Sequence, residues 1–293
     1  MAQQERLVGE FEQHRPHLRA VAYRILGSLS EADDAVQDSW LRLSRADTGA
    51  VENLGGWLTT VVARVALNRL RSRNTHRDLP LDVHVPDPII DRADGTDPEH
   101  EALLADSVGL ALLVVLETLT PPERLAFVLH DMFAVPFEEI ATILERSPEA
   151  ARQLASRARR RVRGAAPGPD TDLAAQRAAV DAFQAAARDG DFDALVAVLH
   201  PDVVLRADGG AVPGLSHRLQ GADAVAGEAM MFSRVDLIVH HALINGTAGL
   251  VATRAGQPFS VMGLTVTGGR IVEIDILVDP ERLSRLDVTI LGA

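Results

Sequence analysis

Residues Ser147 to Arg163 read SPEAARQLASRARRRVR and predict a short helix with a concentrated positive charge. Ser147 is a typical N-cap, Pro148 suits the first helical turn, and Glu149 complements the helix dipole. Six of the twelve residues from Arg152 to Arg163 are arginine, although the chain as a whole carries a net charge of −12. A local cluster of this kind predicts contact with nucleic acid.

The sequence before this helix predicts a second short helix and a tight turn. FEEIATIL, residues 137–144, has apolar residues at helical spacing, and ERS, residues 145–147, forms the turn. Further upstream, Thr120-Pro-Pro-Glu123 matches a capping box and predicts a helix from about Pro121 to Asp131. Two short helices joined by a tight turn, with arginine in the second, indicate a helix-turn-helix.

Polar residues near the start of the arginine-rich helix are predicted to reach base edges in the major groove. Arg pairs with guanine and Gln with adenine, and each good pair contributes about 1–3 kcal/mol of discrimination. Arg159, Arg161 and Arg163 are predicted to contact phosphates, which position the protein without reading sequence. The alternative is a basic face that is merely solvated.

Amphipathic helices also fill the chain from Leu7 to Arg73. The helix after Gly55-Gly56 offers a second nucleic-acid surface, because Trp57 can stack an unpaired base beside polar and basic residues. Those residues are Arg64, Asn68, Arg71 and Arg73. A Trp alone at such a position is more often a core residue than a stacking platform. Upstream, a cluster of Asp33, Asp34 and Asp38 is either a solvated face or a docking surface for a basic partner.

The amino-acid composition excludes several classes of function. The chain has no Cys, which excludes disulfides, thiolate zinc sites and a cysteine nucleophile. Its N-terminus is polar, and no run reaches the roughly 18 apolar residues of a membrane span, so we expect a cytoplasmic protein with no membrane partner. No metal, cofactor or catalytic residue is predicted.

The chain divides into three predicted domains and a linker. Eight acidic residues and one Arg lie between Asp82 and Asp106, with three prolines, and predict an acidic, mobile linker. The predicted boundaries are 1–78 and 107–165 for two all-α domains, 79–106 for the linker and 166–293 for the third domain.

The third domain is predicted to be α+β, with helices to His200 followed by an antiparallel sheet. Its last two strands flank a hairpin turn at Thr267-Gly-Gly-Arg270. A pocket containing Asp208 and a histidine, from His200, His217, His240 and His241, is one way to build an acid/base pair. Adjacent strand residues point to opposite faces, so at most one of His240 and His241 lines it. Catalysis is therefore not expected, and small-ligand binding or regulation by protein contact stays open.

Residues 7–163 resemble bacterial sigma factors of the extracytoplasmic-function type. HLRAVAYRILGSLSEADDAVQDSWLRL and GGWLTTVVARVALNRLRSR resemble sigma region 2, and the block from LTPPERLAFV to SRARRRVR resembles sigma region 4. The resemblance implies a region 2 helical bundle, a region 4 helix-turn-helix, and RNA polymerase core (clamp and flap of its large subunits) and promoter DNA as partners. Glu145 stands where a turn Gly is common in that family.

The resemblance also assigns residues to each contact. The −35 element would be read by Arg152, Gln153, Ser156, Arg157 and Arg160, and the −10 element by Trp57, Arg64, Asn68 and Arg71. Asp34, Gln37 and Asp38 would dock on polymerase.

The third domain resembles the SnoaL-like fold, a cone-shaped domain with a curved sheet against helices, and its presence implies the subgroup of sigma factors that carry it. Asp208-Gly209-Gly210 resembles a motif of that subgroup, and Val278 to Leu283, with Asp279 and Pro280, resembles its C-terminal motif. The corresponding linker motif is VHVPDPII. These residues are predicted to be regulatory, and the end from Asp279 to Leu283 to pin the linker or the first domain.

The sequence therefore predicts a dissociable initiation subunit that is controlled by its own third domain. Two alternatives remain: a dimeric helix-turn-helix regulator with a ligand-sensing domain, and a SnoaL-like enzyme fused to a degenerate DNA-binding domain. The first alternative needs only one DNA-reading helix and a palindromic operator.

Overall fold

The computed structural model describes residues 2–45, 53–75, 83–95, 109–165, 168–232 and 235–286, without side chains for 2–6, 74, 75 and 165. These residues form two compact units. Unit 1 contains the described residues up to 75 and from 116 to 164. Unit 2 contains residues 83–95, 109–115 and those from 165 onward.

Unit 1 is entirely helical. Its described elements are α1 (Ala2–Leu26), α2 (Leu29–Leu43), α3 (Leu54–Thr75), the end of α4 (Gly109–Glu117), α5 (Pro121–Phe127), a π-helical turn (Val128–Met132), α6 (Phe137–Leu144) and α7 (Pro148–Ala165). The helix predicted from Pro121 to Asp131 thus changes from α to π geometry after Phe127. The prediction of amphipathic helices is confirmed.

Apolar side chains from every helix of unit 1 fill its interior. The fully buried ones include Phe11, Leu18, Tyr23, Ile25, Leu43, Leu58, Val62, Leu125, Ile140 and Ala155. Burying a large apolar side chain contributes about 1.5–3 kcal/mol. This core fixes α2, α3 and α7, the three helices that carry the predicted contact residues.

The helix-turn-helix has the predicted local structure. Ser147 Oγ accepts a hydrogen bond from the Ala150 N–H at 3.2 Å, so Ser147 caps α7 as expected. The turn passes through Glu145 in the left-handed conformation, with φ 57° and ψ 47°. The turn therefore keeps the backbone geometry that favours glycine, although a residue with a side chain occupies it.

Unit 2 is an α+β domain. Its helices are α8 (Leu173–Asp189), α9 (Phe192–Val198), α10 (Ala222–Phe232) and α11 (Pro280–Leu283). Its strands are β1 (Ile90–Arg92), β2 (Leu199–Asp208), β3 (His217–Gln220), β4 (Ile238–Ile244), β5 (Thr247–Arg254), β6 (Gln257–Thr267) and β7 (Arg270–Leu277). The seven form one sheet in the order β1-β4-β5-β6-β7-β2-β3.

Two details of the predicted sheet are wrong. Strands β2 and β3 precede α10, and β2 pairs with β7 in parallel, so the sheet is mixed rather than antiparallel. His200 lies in β2 rather than at the end of a helix. The alternating burial of Val203 and Leu205 on β2 explains this, because these residues pack in the core under α8 and α10. The hairpin at Thr267 to Arg270 is confirmed.

The prediction of a free linker is wrong for residues 83–95. Strand β1 pairs with β4, where Ile90 lies opposite Ile244. The Ile89 N–H donates to Asn245 Oδ1 at 3.1 Å, and the Asn245 N–H donates to the Ile89 carbonyl at 2.9 Å. The physical reason is burial of apolar side chains. Four apolar residues that alternate in sequence with the acidic residues and prolines are buried: Val83, Val85, Ile89 and Ile90. This segment is an edge of the unit 2 sheet.

Among the described residues, no helix has the length and apolar character needed to cross a membrane. The same part of the chain contains no cluster of three or more metal-ligating side chains.

Candidate nucleic-acid interface and linker clasp

Helix α7 presents its predicted −35 residues to solvent. Arg152, Gln153, Ser156, Arg157 and Arg160 are exposed, whereas Ala151, Leu154, Ala155 and Ala158 are buried. The Arg152 guanidinium also lies over the Phe137 ring of α6, 5.0 Å from its centroid. One face of α7 therefore packs in the core and the other is exposed to solvent.

Two later arginines of α7 are engaged within unit 1. Arg159 pairs with Asp131 at 2.5 Å, and Arg161 pairs with Glu123 at 3.3 Å. Both were predicted to contact phosphates; the structure gives each a carboxylate partner, Asp131 in the π-helical turn and Glu123 in α5. Each guanidinium charge is partly neutralised by its carboxylate partner, and Arg161 stays exposed.

Helix α3 places three of its predicted −10 residues on one exposed face. Arg64, Asn68 and Arg71 recur at helical spacing and are exposed, and Trp57 at the start of the helix is half-buried. Arg64 Nη2 donates to the Thr142 carbonyl of α6 at 3.2 Å. Arg73 does not extend this surface, because its guanidinium pairs with Glu31 at 3.3 Å and Glu117 at 3.1 Å.

The predicted polymerase-docking residues lie together on α2. Asp34 and Gln37 are exposed and Asp38 is partly exposed. Arg69 of α3 bridges the two carboxylates, with distances of 3.2 Å to Asp34 and 3.1 Å to Asp38. Asp33 is turned to Arg19 at 2.6 Å and does not join them. The bridge holds Asp34 and Asp38 in a fixed relation on one helix face.

In unit 2 the two predicted regulatory motifs meet. Gly210 has φ 59°, and a Cβ at this position would lie 2.2 Å from Asp279 Oδ2. Asp279 caps α11, whose first residue is Pro280, by accepting the N–H groups of Glu281 and Arg282. The Asp208 carboxylate accepts the Gly210 N–H at 3.0 Å. Two motifs distant in sequence therefore form one structure, and Gly210 leaves the space that Asp279 occupies.

Arg282 joins this structure to the linker. Its guanidinium donates to Asp208 Oδ2 at 2.9 Å, to Asp87 Oδ1 at 2.7 Å and to the Val85 carbonyl at 2.6 Å. Asp208 Oδ2 also accepts the Val85 N–H at 2.9 Å and lies 2.9 Å from His84 Nδ1. We call the set of His84, Val85, Asp87, Asp208 and Arg282 the linker clasp. The predicted pinning of the linker by the C-terminal motif matches these contacts.

The clasp determines the charge state of Asp208, whose side chain is fully buried. Burial acts to raise the pKa of Asp208, but the hydrogen bond and charge of His84, the charge of Arg282 and the Val85 N–H lower it to about 2. Asp208 is therefore an anion at neutral pH. Sequence reasoning missed His84, Asp87 and Arg282 as site residues. Arg282 lay inside the C-terminal motif and His84 and Asp87 inside the linker motif, which was the available signal.

The four histidines considered with Asp208 have other partners. His217 lies 2.9 Å from Glu228, His240 lies 3.1 Å from Thr253, and His241 lies 3.4 Å from Asp181. His200 Nδ1 accepts the Asp202 N–H at 3.1 Å. The histidine beside Asp208 is His84, from the linker, so none of the four considered histidines pairs with Asp208.

A second charged cluster lies on neighbouring strands of unit 2. Arg206 of β2 donates to Glu273 and, at 3.0 Å, to Asp275 of β7. Burial and the nearby charge of Glu273 raise the pKa of Asp275 to about 7, against the opposing effect of Arg206. Burial also raises the pKa of Glu273, whose Oε2 has no hydrogen-bond partner among the described residues.

The helical domains of unit 1 are those of a bacterial sigma factor. Residues 11–76 match the Sigma-70 region 2 family, and residues 109–162 match the Sigma-70 region 4 family.

The chain belongs to the extracytoplasmic-function RNA polymerase sigma factors. It is 38% identical to the ECF sigma factor SigJ of Mycobacterium tuberculosis (strain ATCC 25618 / H37Rv), over 94% of this chain and 93% of SigJ. It is 33% identical to the probable ECF sigma factor SigI of the same organism, over 98% of each chain. The crystal structure of M. tuberculosis SigJ covers 94% of this chain and 98% of its own, with a TM-score of 0.75 and 34% identity.

Membership in this family confirms the main functional prediction. The protein is a transcription initiation factor, not an enzyme, and it binds RNA polymerase core and promoter DNA. The α+β unit is its C-terminal SnoaL-like domain. A helix-turn-helix regulator that works without polymerase is not favoured, because both sigma regions are present.

Proposed function

We propose that α7 reads the −35 element and α3 reads the −10 element. The exposed polar residues at the start of α7, with Arg157 and Arg160 behind them, reach the major groove and its phosphates. On α3, the half-buried Trp57 provides a ring for an unpaired base, and Arg64, Asn68 and Arg71 line the exposed face beside it. The protein acts in the cytoplasm, where polymerase and the chromosome are.

Helix α2 is the proposed docking surface for the polymerase clamp, and region 4 docks on the flap. Asp34, Gln37 and Asp38 share one face, and Arg69 orients both carboxylates. Acidic side chains held in this way suit a basic surface, since complementary charge speeds association and fixes orientation.

The C-terminal domain is proposed to control initiation through the linker clasp. The observation that carries this proposal is the Arg282 guanidinium, which bonds at once to Asp208, to Asp87 and to the Val85 carbonyl. The linker is thereby tied to the C-terminal domain by its backbone and by charge.

The clasp shortens the distance that the linker can span between regions 2 and 4. The −35 and −10 elements lie about 25 base pairs apart, which is about 85 Å at about 3.4 Å per base pair. A linker over residues 79–106, fully extended at about 3.4 Å per residue, spans only about 95 Å. Residues fixed in the clasp and in β1 shorten that reach. Release of the linker therefore favours simultaneous reading of both elements.

Run-off transcription with RNA polymerase core at limiting concentration tests the clasp. We expect Arg282→Ala to raise promoter-directed transcripts several-fold, because it removes all three side-chain bonds to the linker and Asp208. Arg285→Ala is the matched control: Arg285 is close in sequence, but it pairs with the exposed Glu281. Equal transcription from wild type and Arg282→Ala would refute the clasp as a regulator and leave the sigma function intact.

Small-ligand binding by the C-terminal domain stays a prediction. A ligand that acts through the clasp would lose its effect in Asp208→Asn, which removes the anion at its centre. An unchanged response in that variant would show that the ligand does not act through the clasp.

A further inference from the structure

We propose that Phe137, supported by the ring of His130, is a positioning residue that holds the Arg152 guanidinium ready to read one base of the −35 element. His130 lies in the π-helical turn, Phe137 begins α6, and Arg152 lies in the first part of α7. We call the two rings the His130–Phe137 stack. This role rests on the proposed reading of the −35 element by α7 and gives a part in it to the neighbouring helix.

Arg152 is held differently from the later arginines of α7. Carboxylates hold Arg159 and Arg161 and occupy N–H groups of their guanidinium groups. The Arg152 guanidinium instead lies over the Phe137 ring, with its central carbon 5.0 Å from the ring centroid. A ring attracts a guanidinium without using an N–H···O bond, so the five N–H donors of Arg152 stay available to a base or a phosphate.

The Phe137 ring is in turn held by His130. The two rings are stacked, with centroids 3.8 Å apart and an angle of 27° between their planes. His130 Nδ1 donates to the Val135 carbonyl at 3.1 Å, since a carbonyl oxygen can only accept. This hydrogen bond fixes the plane of the His130 ring, and the stacking limits the orientations open to Phe137. Phe137 is only half-buried, so packing in the core is not what holds it.

The backbone around His130 has an unusual conformation. Residues Val128–Met132 form a π-helical turn, and Ala134 just beyond it has φ 54°. The Val135 N–H donates to the Leu129 carbonyl at 2.9 Å, which closes this stretch. A non-glycine residue in the left-handed region costs conformational energy, and π-helical turns are frequent at functional sites. The strained stretch is the one that presents the His130 ring to Phe137.

Holding Arg152 in place matters because a free arginine side chain has many rotamers. Ordering such a side chain on binding costs free energy, and a side chain that is already held avoids part of that cost. Arg152 is exposed beside Gln153, near the end of α7 that is proposed to enter the major groove. The His130–Phe137 stack should therefore strengthen the preference for the one base that Arg152 reads.

Run-off transcription on a promoter library randomised in the −35 element measures the base preference at each position. With RNA polymerase core and the full-length chain, Arg152→Ala should lower the preference at one position by at least about fivefold, which identifies the base that Arg152 reads. Phe137→Leu keeps the apolar bulk but removes the ring, and should lower the preference at this same position about two- to fivefold. Phe137→Tyr keeps the ring and should keep the preference.

Three further variants separate positioning from a structural role. In the Arg152→Ala background, Phe137→Leu should not change the base preference further, because no guanidinium is left to hold. Phe127→Leu is the matched control, since it makes the same substitution in the buried core of region 4. It should lower the melting temperature and leave the base preference unchanged. His130→Leu removes the stacking partner and should weaken the preference only at the position that Arg152 reads.

Three results would overturn the proposal: a wild-type preference in Phe137→Leu, a loss spread evenly over the −35 positions, or an equal loss with and without Arg152. The reading of the −35 element by α7 would survive each of them, because Arg152→Ala would still identify its base. If Arg152→Ala leaves every preference unchanged, the assignment of Arg152 to the −35 element is wrong and the positioning role falls with it. A wild-type preference in His130→Leu would exclude the support by His130.

Nuclear magnetic resonance of the free, arginine-labelled protein tests the contact without DNA or polymerase. The ring current of Phe137 should shift the Arg152 side-chain proton signals upfield, and Arg152→Lys assigns these signals by their loss. The shift should disappear in Phe137→Leu and persist in Phe137→Tyr. Signals that stay in place in Phe137→Leu would show that the ring does not hold the guanidinium and would refute the positioning role, whatever the promoter library shows.

Discussion

The Asp208 carboxylate and the Arg282 guanidinium form a 2.9 Å ion pair across 74 residues of sequence. Asp208 ends strand β2 and Arg282 lies in the last described helix, so the pair closes the C-terminal domain on itself. The same carboxylate oxygen accepts the Val85 N–H from the linker. A single buried anion therefore organises three separate segments of the chain.

Removing the cation of this pair should destabilise unit 2. In Arg282→Ala the fully buried Asp208 loses its permanent counter-charge, which typically costs about 3–5 kcal/mol. Arg285→Ala, whose ion pair is exposed, should cost less than about 1 kcal/mol. Denaturant unfolding followed by hydrogen exchange of β2 and β7 measures both. A loss no larger than that of the control would show that the pair is not structural.

The buried Asp275 makes unit 2 sensitive to pH. Its pKa is about 7 in the folded protein, well above the value of 3.8 for a free carboxyl, because burial and Glu273 disfavour the anion. The folded state therefore holds a proton that the unfolded state has released between about pH 4 and 7. Stability should fall as pH rises through this window and level off above it.

Thermal unfolding of unit 2 at pH 5.5 and pH 8 checks this prediction. The wild type should unfold at a lower temperature at pH 8, and Asp275→Asn should reduce the difference. Asp202→Asn, at an exposed position on β2, is the control and should keep it. A wild type with the same melting temperature at both pH values would contradict the prediction.

Substitutions on α7 should separate base reading from anchoring. The Gln153 side chain is exposed and lies near the start of α7, where it can reach a base edge. We therefore expect Gln153→Ala to weaken the discrimination between bases at that promoter position by about 1–3 kcal/mol. Arg159→Ala should instead lower the stability of region 4, since Arg159 pairs with Asp131. Run-off transcription on a promoter library, beside thermal unfolding of each variant, distinguishes the two effects. Unaltered promoter preference in Gln153→Ala would remove it from the reading surface.

The helix-turn-helix turn should gain stability from glycine. Glu145 adopts φ 57°, where a side chain costs about 1–2 kcal/mol and glycine is unstrained. After the entropy that glycine loses on folding, Glu145→Gly should raise the free energy of unfolding of region 4 by about 0.5–1 kcal/mol. Glu139→Gly, at an exposed position in α6, should lower it by about 1 kcal/mol. Chemical denaturation measures the free energy of unfolding of both variants. A gain in Glu145→Gly and a loss in Glu139→Gly would confirm the prediction, and a loss in both would refute it.

Local signals explain which parts of the fold are predictable from sequence. Ser147, Glu123 and the Gly268-Gly269 turn act through neighbours within a few residues, so helix starts and the last hairpin follow from the chain itself. The exposed face of α7 follows from helical spacing in the same way. The order of strands did not, because the parallel pairing of β2 with β7 joins residues far apart in sequence.

The linker shows how composition can mislead. Its acidic residues and prolines suggested a free chain, but Val85, Ile89 and Ile90 between them are buried. Whether an apolar residue is buried depends on a partner surface, here β4 and Asn245, that lies more than a hundred residues away. The carboxylate partners of Arg73, Arg159 and Arg161 could not be predicted for a similar reason, because they are 28 to 44 residues distant.

Because of strand β1, the C-terminal domain of this sigma factor cannot be removed cleanly by truncating the gene. Because β1 comes from the linker and hydrogen-bonds to β4, a stop codon placed after region 4 would do more than delete a regulator. It would also remove the surface that buries Ile89 and Ile90. The linker between regions 2 and 4 would then contain an exposed, aggregation-prone apolar segment. A regulatory module transferred to another sigma factor must therefore include β1 as well as the C-terminal domain. The two segments would have to be placed on either side of region 4 in the recipient chain.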